Sequence, residues 1–576
     1  MQVLTNSGIV SGLRGLMALA LIVVTAAPAS AAGTDERPTS PIRVRNGAVA
    51  SVSGPASDVG VAALRRGGTA VDAAIATSFA LAVTYPAAGN IGGGGFMMVV
   101  PSDSRFPPTM FDFREVAPLT ATRDMFVDPR GRTPHRRVGV PGIVRGLELA
   151  HQKHGKLPWR ELVTPAVALA RDGFPLDAAN ARMLNRLLQT SDKQQFAELH
   201  RVFGKPGGGD WQAGDRLLQP DLAKTLQRIA DGGAEGFYAG ETARLLTAEM
   251  ERGGGLICQA DLTAYRALER EPVCGTYRGY EILGAPPVSS GGTALIEALN
   301  ILETFDLKQY DRFSPECLHL LIEASRRAYR DRARYLGDPA FVKVPGKLLT
   351  KEYARELARG IDPQHATPSA ELAGDISLRH ESDQTTHFSV IDGARTAVSL
   401  TCTLENSFGS RVVVPGAGFL LNDEMNDFNW LPRVTDTNGR IGTDANLLVP
   451  GKRMVSSMCP IVVRRDGRVV LVTGSPGGRT IINTVLNVVV NVLDFGMNLQ
   501  AAVDAPRFHH QWFPDVVQLE PALVREHPQT IERLKAMGHA IATKQQGDAH
   551  SLLVDTAAGE IVGAADQRIS GKAAGY

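Results

Sequence analysis

The pattern of apolar and polar positions changes about two thirds of the way along this chain. Before that point apolar residues recur every three to four positions, which is the spacing of one helix face. After it, short apolar and β-branched runs alternate with polar turns, which is typical of strands. The chain is therefore expected to form a layered α/β domain, mainly helical at first and then strand-rich.

The spacing predicts individual elements but no internal repeat. Helices are expected at 57–66, 70–83, 142–154, 159–172, 220–229, 240–252, 294–302, 315–335, 481–493 and 528–535. Strands are expected at 97–100, 280–283, 387–391, 396–401, 412–414, 460–464 and 469–473. The first two helices should form a hairpin, because Gly67-Gly68 suits a helix end followed by a new start.

Thr385 lies just before a predicted hairpin, whose strands flank the turn dipeptide Asp392-Gly393. A threonine hydroxyl is a weak nucleophile and needs a base beside it. A cut before Thr385 would create an α-amino group, with a pKa near ~8, that supplies this base on the same residue. The decapeptide 383–392 alone also fits ordinary strand sequence, since threonine is a good strand former.

Composition points to small-molecule partners. The 576 residues carry a formal net charge of +1 and give a pI of about 7.7, so there is no basic footprint for nucleic acid. The five cysteines form no C-x-x-C pair, which supports neither a zinc site nor a redox motif. Buried free thiols are the favoured interpretation, with a Cys258 to Cys274 disulfide as the alternative.

Residues 1–31 have the pattern of a secretory signal. Arg14 precedes an apolar run at 16–27, and Ala29-Ser30-Ala31 supplies a small-residue cleavage site. An uncleaved anchor is the alternative, but no later stretch is long enough to span a membrane. The protein is therefore expected to be periplasmic or secreted, with a disordered lead-in at 33–43 and a mobile tail at 362–376.

Two features that suggest cofactors are interpreted as structural. The glycine-rich residues 89–95 precede a strand and lack a following Gly-Lys-Ser/Thr, so we predict close backbone packing rather than nucleotide binding. His509 and His510 are adjacent, and on a strand they would point to opposite faces. We predict no cofactor and no metal.

Seven short motifs together resemble the γ-glutamyltransferases (γ-glutamyl transpeptidases), which are N-terminal-nucleophile hydrolases. They are Asp383 to Val390, Asp112 to Glu115, Leu421 to Met425, Ser456 to Met458, Gly474 to Gly478, Pro506 to Trp512 and Ala574 to Tyr576. The resemblance implies self-cleavage between Gln384 and Thr385 into a large subunit (32–384) and a small subunit (385–576). The two are expected to pair as a heterodimer and to form an αββα four-layer sandwich jointly.

The resemblance also implies roles for ten residues. Thr385 would be the nucleophile, Thr403 its hydroxyl partner, and Gly477 and Gly478 the oxyanion hole. Arg114, Ser456 and Ser457 would hold the substrate α-carboxylate, and Glu405, Glu424 and Asp427 the α-ammonium. Glu405 departs from the asparagine frequent in the family, although a carboxylate can serve the same cation; Asp423 and Asn426 depart with less consequence. Residues 429–448 have the length of the family's lid loop.

The implied reaction is attack of Thr385 on a γ-glutamyl amide such as glutathione, with transfer of the γ-glutamyl group to water, an amino acid or a peptide. One alternative is a related acylase acting on another acyl group, such as glutaryl-cephalosporins or poly-γ-glutamate. Another is a processed but inactive binding protein. The joint presence of Thr385, Arg114 and Gly477-Gly478 argues against inactivity, because only catalysis needs all three.

Overall fold

Two seven-stranded sheets form the centre of the protein. The computed structural model describes residues 41–374 and 385–576. The predicted signal at 1–31, most of the lead-in and Gln384 lie outside these residues. The strands are β1 (Ile42–Val44), β2 (Ala48–Ser51), β3 (Gly94–Val100), β4 (Thr109–Asp112), β5 (Phe174–Pro175), β6 (Arg216–Leu217), β7 (Leu268–Arg270), β8 (Val273–Tyr277), β9 (Tyr280–Gly284), β10 (Thr386–Ile391), β11 (Ala397–Thr403), β12 (Ile461–Arg465), β13 (Arg468–Thr473), β14 (Phe508–His509), β15 (Val517–Leu519), β16 (Ile541–Thr543), β17 (Ser551–Asp555), β18 (Glu560–Ala564) and β19 (Lys572–Gly575).

Most of the helices lie between β4 and β10 in the sequence. They are α1 (Gly54–Arg65), α2 (Ala70–Thr84), α3 (Ile143–His154), α4 (Trp159–Asp172), α5 (Ala178–Thr190), α6 (Ala197–Phe203), α7 (Pro220–Gly232), α8 (Glu235–Tyr238), α9 (Gly240–Gly253), α10 (Gln259–Ala264), α11 (Gly291–Leu302), α12 (Pro315–Tyr335), α13 (Lys351–Arg359), α14 (Thr480–Leu493), α15 (Leu499–Asp504), α16 (Pro521–Glu526) and α17 (Pro528–Ala536). Within the described ranges, no helix combines the length and apolar character needed to cross a membrane.

The strand order interleaves the two halves of the chain. One sheet has the order β19-β2-β10-β11-β3-β4-β7, and the other has the order β1-β18-β17-β13-β12-β9-β8. The neighbouring strands in these two sheets whose register is given are antiparallel. Both sheets therefore contain strands that precede Thr385 and strands that follow it.

Strand alternation separates two apolar layers. In β2, Val49 joins a cluster with α1, α2, α4 and α7, whereas Ala48 and Ala50 face the second cluster. The second cluster lies between the sheets and also contains residues of α11, α12 and α14. Successive strand side chains point to opposite faces, so each sheet is covered on both sides. The result is the predicted order of helix, sheet, sheet and helix layers.

The helical hairpin predicted at the start of the chain is confirmed. Thr69 caps α2 through the Asp72 backbone N–H, and the Asp72 carboxylate accepts from the Thr69 backbone N–H. Every residue of α2 is buried, as its nearly uniform apolar sequence requires.

Several expectations from the sequence were wrong in detail. Residues 412–414 are buried but form a single bridge, Val413 to Leu420, instead of a strand, because a bend at Arg411 and a turn at 415–417 leave only this short segment extended. Residues 362–374 are irregular, yet they are anchored: buried Ser369 accepts from Arg326 and its backbone N–H donates to Asp515. All five cysteines are free, and Cys258 and Cys274 are exposed, not buried.

Candidate active site

The hairpin of β10 and β11 brings Thr385 and Thr403 to the same end of the central sheet. Thr386 pairs with Cys402 in the antiparallel register, so Thr385 and Thr403 form the next pair along it. Both threonines are buried. The Thr403 Oγ1 accepts a hydrogen bond of 2.7 Å from the backbone N–H of Glu405, which fixes the hydroxyl at the strand end.

The glycine run beside Thr403 is packed against backbone, as predicted. A Cβ on Gly93 would lie 2.1 Å from the Thr403 carbonyl oxygen, and a Cβ on Gly95 would lie 2.3 Å from the Thr401 oxygen. Only glycine lets neighbouring chains approach this closely. The run therefore packs closely beside the strand end that carries Thr403.

Eight of the ten predicted site residues line one small cavity of about 20 Å³. They are Thr385, Thr403, Arg114, Glu405, Asp427, Ser456, Ser457 and Gly478. The other two adjoin it: Glu424 lies against Arg114, and Gly477 directly precedes Gly478. Residues that are up to 364 positions apart, from Arg114 to Gly478, thus meet at the end of the β10–β11 hairpin.

Arg114 is the positive centre of the cavity. Its Nη1 lies 2.5 Å from Glu424 Oε2 and 3.3 Å from Glu115 Oε2, and its Nη2 donates to Asp427. The Nε and Nη2 groups also donate to the carbonyl oxygens of Met454 and Val455, each at 3.3 Å. Burial opposes its charge, but the surrounding carboxylates outweigh burial and raise the pKa of the guanidinium.

The acids around Arg114 outnumber its single charge. Burial, followed by the charges of Asp427 and Glu424, raises the pKa of Glu405 well above its usual range. Burial likewise raises the pKa of Glu424 well above its usual value, and raises that of Glu115 to about 7. Like charges in a dry site are relieved by protonation. Burial and mutual repulsion therefore favour the protonated forms of these acids.

Glu405 occupies an unusual backbone conformation. Its φ of 76° lies in the left-handed region, which asparagine tolerates better than glutamate. Strain of this kind persists where the side chain or backbone is needed in place. The backbone N–H of Glu405 orients Thr403, while its carboxyl group lies against the cavity.

The two serines are held from the opposite helix layer. Arg332 of α12 donates to Ser457 Oγ and to Ser290 Oγ, each at 2.8 Å. Ser290 donates through its backbone N–H and its hydroxyl to the Ser456 carbonyl oxygen. The Ser456 hydroxyl in turn accepts from the Met458 backbone N–H at 3.0 Å. This network fixes both hydroxyl groups before any ligand binds.

Gly477 and Gly478 lie at the beginning of α14, where backbone N–H groups favour a negative charge. Both have positive φ values, 121° and 54°. A Cβ on Gly477 would also lie 2.4 Å from Thr480 Oγ1. The sharp turn into the helix at Gly477 therefore requires glycine.

The sequence analysis assigned no role to three residues that help to form the site. Glu115 was noticed only as part of a motif, and Arg332 gives no signal because it sits within a long helix. Arg479 directly follows the two glycines, which could have drawn attention to it. It lines the cavity and donates from Nη1 to the Gly439 carbonyl oxygen at 2.8 Å, within the 429–448 loop. Burial, and then Arg332, lowers its pKa to about 9.

Two groups of possible metal ligands occur in the described residues. Glu405, Glu424 and Asp427 lie around Arg114, whose positive charge disfavours a cation. In the second group, His319, Glu323 and His539, both Glu323 oxygens already pair with Arg326 and Arg327. His509 and His510 are buried and contact Asn483 and Asp515, away from the cavity. The absence of a metal stays a prediction.

The layers and the threonine at the start of a central strand define an N-terminal-nucleophile hydrolase fold. A crystal structure of a cephalosporin acylase from Bacillus halodurans superposes with a TM-score of 0.82 at 27% identity, covering 96% of this chain and 99% of that one. The γ-glutamyltranspeptidase of Helicobacter pylori gives a TM-score of 0.53 at 41% identity, covering 56% of this chain and 93% of that one.

Sequence comparison gives the family. The family model described as gamma-glutamyltranspeptidase matches residues 56–576. A glutathione hydrolase proenzyme of Escherichia coli (strain K12) is 45% identical over 560 residues, which cover 96% of this chain and 95% of that protein. The chain belongs to the γ-glutamyltranspeptidase family, as its motifs suggested.

Proposed function

We propose that this protein is a self-processing γ-glutamyltransferase that also hydrolyses glutathione. The observation that carries the proposal is the convergence of Thr385 with Arg114, Asp427 and the two serines on one buried cavity. A γ-glutamyl group carries an α-carboxylate and an α-ammonium, so it needs both signs of charge close together. Arg114 would turn donors that now face Glu424 and Asp427 to the substrate carboxylate, and Glu405 and Asp427 would accept from the ammonium.

The reaction would proceed through an ester on Thr385. Its Oγ1 attacks the γ-carbonyl carbon while the α-amino group of the same residue accepts the hydroxyl proton. The backbone N–H groups of Gly477 and Gly478 would stabilise the oxyanion, a contribution of about 10²–10³ in rate. The proton then passes to the leaving amine, and water or an amino acid attacks the ester in the second half-reaction. Thr403, held by the Glu405 N–H, would orient the nucleophile.

Processing would separate residues 32–384 from 385–576 after export to the periplasm or the medium. With the signal removed, the chain mean of 61.6 kDa over 576 residues gives pieces of about 38 and about 21 kDa. Thr385→Ala should remain one chain on denaturing electrophoresis. The matched control is Thr386→Val: Thr386 Oγ1 has no hydrogen-bond partner in the described part of the chain, so this variant should still be cut. A wild type that is active as a single uncut band would contradict the proposal.

The similarity to a cephalosporin acylase supports one alternative, an acylase for a related acyl group. The cluster of three acids beside the inner cavity favours the γ-glutamyl reaction, because an α-ammonium would balance their charge and a glutaryl group has no cation to offer them. Release of glutamate from glutathione by the purified protein is the direct test. Release of glutarate but not glutamate from matched anilides would favour the acylase.

A further inference from the structure

A second and much larger cavity adjoins the inner one. It encloses about 880 Å³ and shares Glu405 with the small cavity that contains Thr385. Its walls come from the loop 129–137, the loop after β11 and the loop 429–448. The γ-glutamyl half of a donor would bind at Thr385, so its amine half lies on the other side of the bond that is cut. That half must extend outward, and the larger cavity is the adjoining space.

The lining of this outer cavity carries more positive than negative charge. Four arginines line it, namely Arg132, Arg137, Arg411 and Arg440, against two acids, Glu405 and Asp423. Asp423 is already bonded by the backbone and side chain of Asn406 and by Asn426. Burial, together with the neighbouring charge of Arg440, lowers the pKa of Arg132. The mutual repulsion of these two arginines is what an anion between them would relieve.

Two of the arginines are fixed in place by contacts with the protein. Arg132 Nε donates to the Phe126 carbonyl oxygen at 2.8 Å, and its guanidinium lies 4.9 Å from the centre of the Trp430 ring. Arg411 Nη1 donates to the Thr190 carbonyl oxygen at 2.8 Å. Guanidinium groups that are already ordered lose little entropy when they bind a ligand.

One donor of the Arg137 guanidinium, its buried Nε, has no hydrogen-bond partner in the described ranges. A buried donor without a partner is unfavourable unless a ligand or water completes it. Among the arginines that line the cavity, Arg137 therefore has a buried donor that a bound carboxylate could complete.

We propose that this arginine-lined cavity binds carboxylate groups on the amine half of the donor, so that the enzyme selects γ-glutamyl peptides over neutral γ-glutamyl amides. The inference rests on the proposed function and names its substrate class. The amine half of a γ-glutamyl peptide ends in a carboxylate, which matches the planar fork of an arginine. The apolar surfaces of Phe196, Phe428 and Trp430 complete the lining for the body of the peptide.

The test uses two donors with nearly the same chromophore. γ-Glutamyl-3-carboxy-4-nitroanilide has a carboxylate on its leaving group, and γ-glutamyl-4-nitroanilide does not. The quantity measured is the ratio of their kcat/KM values, compared between wild type and variants, so that electronic effects of the carboxyl group cancel. We expect Arg137→Ala and, independently, Arg411→Ala to lower this ratio by at least ~5-fold, as the loss of a charge-assisted hydrogen bond would.

Arg130→Ala is the matched control. Arg130 lies in the same loop but is 92% exposed and pairs with Asp128, outside the cavity lining. The ratio of the two kcat/KM values for Arg130→Ala should equal that of the wild type. Added salt should lower the wild-type ratio, because it screens the attraction between the arginines and the carboxylate. An unchanged ratio in both Arg137→Ala and Arg411→Ala, with intact melting temperatures, would overturn the inference while leaving the proposed function standing. A wild type that cleaves neither donor would overturn both.

Discussion

Selection between γ-glutamyl and glutaryl donors probes the acids around Arg114 most directly. The two acyl groups share the carboxylate and the reacting carbonyl, and only the γ-glutamyl group has an α-ammonium. In the pocket that ammonium would face Glu405, Glu424 and Asp427. One carboxylate oxygen from each of these residues lies within 4.8 Å of the other two. Arg114 supplies the positive charge that pairs directly with Glu424 and Asp427.

The size of the preference follows from what happens when the cation is missing. A site built to bind a substrate N–H group rejects an analogue without it by about 10⁴–10⁵ when its own groups are left unpaired. Here burial and mutual repulsion raise the pKa values of Glu405 and Glu424, so both can keep a proton and avoid part of that cost. We therefore expect a preference of at least ~10²-fold in kcat/KM, about 2.7 kcal/mol.

The assay compares γ-glutamyl-4-nitroanilide with glutaryl-4-nitroanilide. The preference should increase with pH, because the raised pKa means that Glu405 becomes charged only at higher pH. Glu405→Gln should narrow the preference by weakening the γ-glutamyl reaction, whereas Glu352→Gln, an exposed change on α13, should not. Comparable efficiencies of the wild type on the two donors would refute this view of the pocket and favour the acylase alternative.

Two further predictions concern buried charges. Arg114→Lys should lower kcat/KM for γ-glutamyl-4-nitroanilide by at least ~10-fold, about 1.4 kcal/mol, because lysine lacks the fork of donors. It should also lower the melting temperature, since the bonds to Met454 and Val455 are lost; unchanged kinetics would contradict the role in binding. Burial and Asp331 raise the pKa of Glu297 well above the ordinary 4.5, so its folded-state proton stabilises the protein at low pH and this stabilisation is lost as the pH rises. The melting temperature of Glu297→Gln minus that of the wild type should therefore be larger at pH 9 than at pH 5. The same difference at both pH values would rule out this titration.

Local signals in the sequence were enough for much of the fold. The helix predicted at 315–335 matches α12, because Ser314 caps it, Pro315 opens it and the apolar spacing runs to its end. The hairpin that follows Thr385 was likewise predicted from alternation and the Asp392-Gly393 turn. These features depend on residues that are close together in the sequence, so they can be predicted from it.

Long-range arrangements could not be obtained in this way. The contact of Arg114 with Asp427 joins residues 313 positions apart, and neither residue's surroundings in the sequence indicate it. The segment at 412–414 has the composition of a buried strand, but its backbone finds only one strand-like partner. Arg332 meets Ser457 only because α12 packs against α11, which begins directly after Ser290. Local propensities do not predict contacts between residues that are far apart in the sequence.

The interleaved sheets have a consequence for a chain cut before Thr385. β2 lies between β19 and β10, and β1 and β9 border strands of the later half, so each sheet is assembled from both pieces. The two pieces could not come apart by a rigid movement, because separation would expose the centre of both sheets at once. Diluting the cut protein should then leave the native pair together, and its two polypeptides should be recovered separately only after denaturation. Because unfolding releases two chains, its melting temperature should fall on dilution.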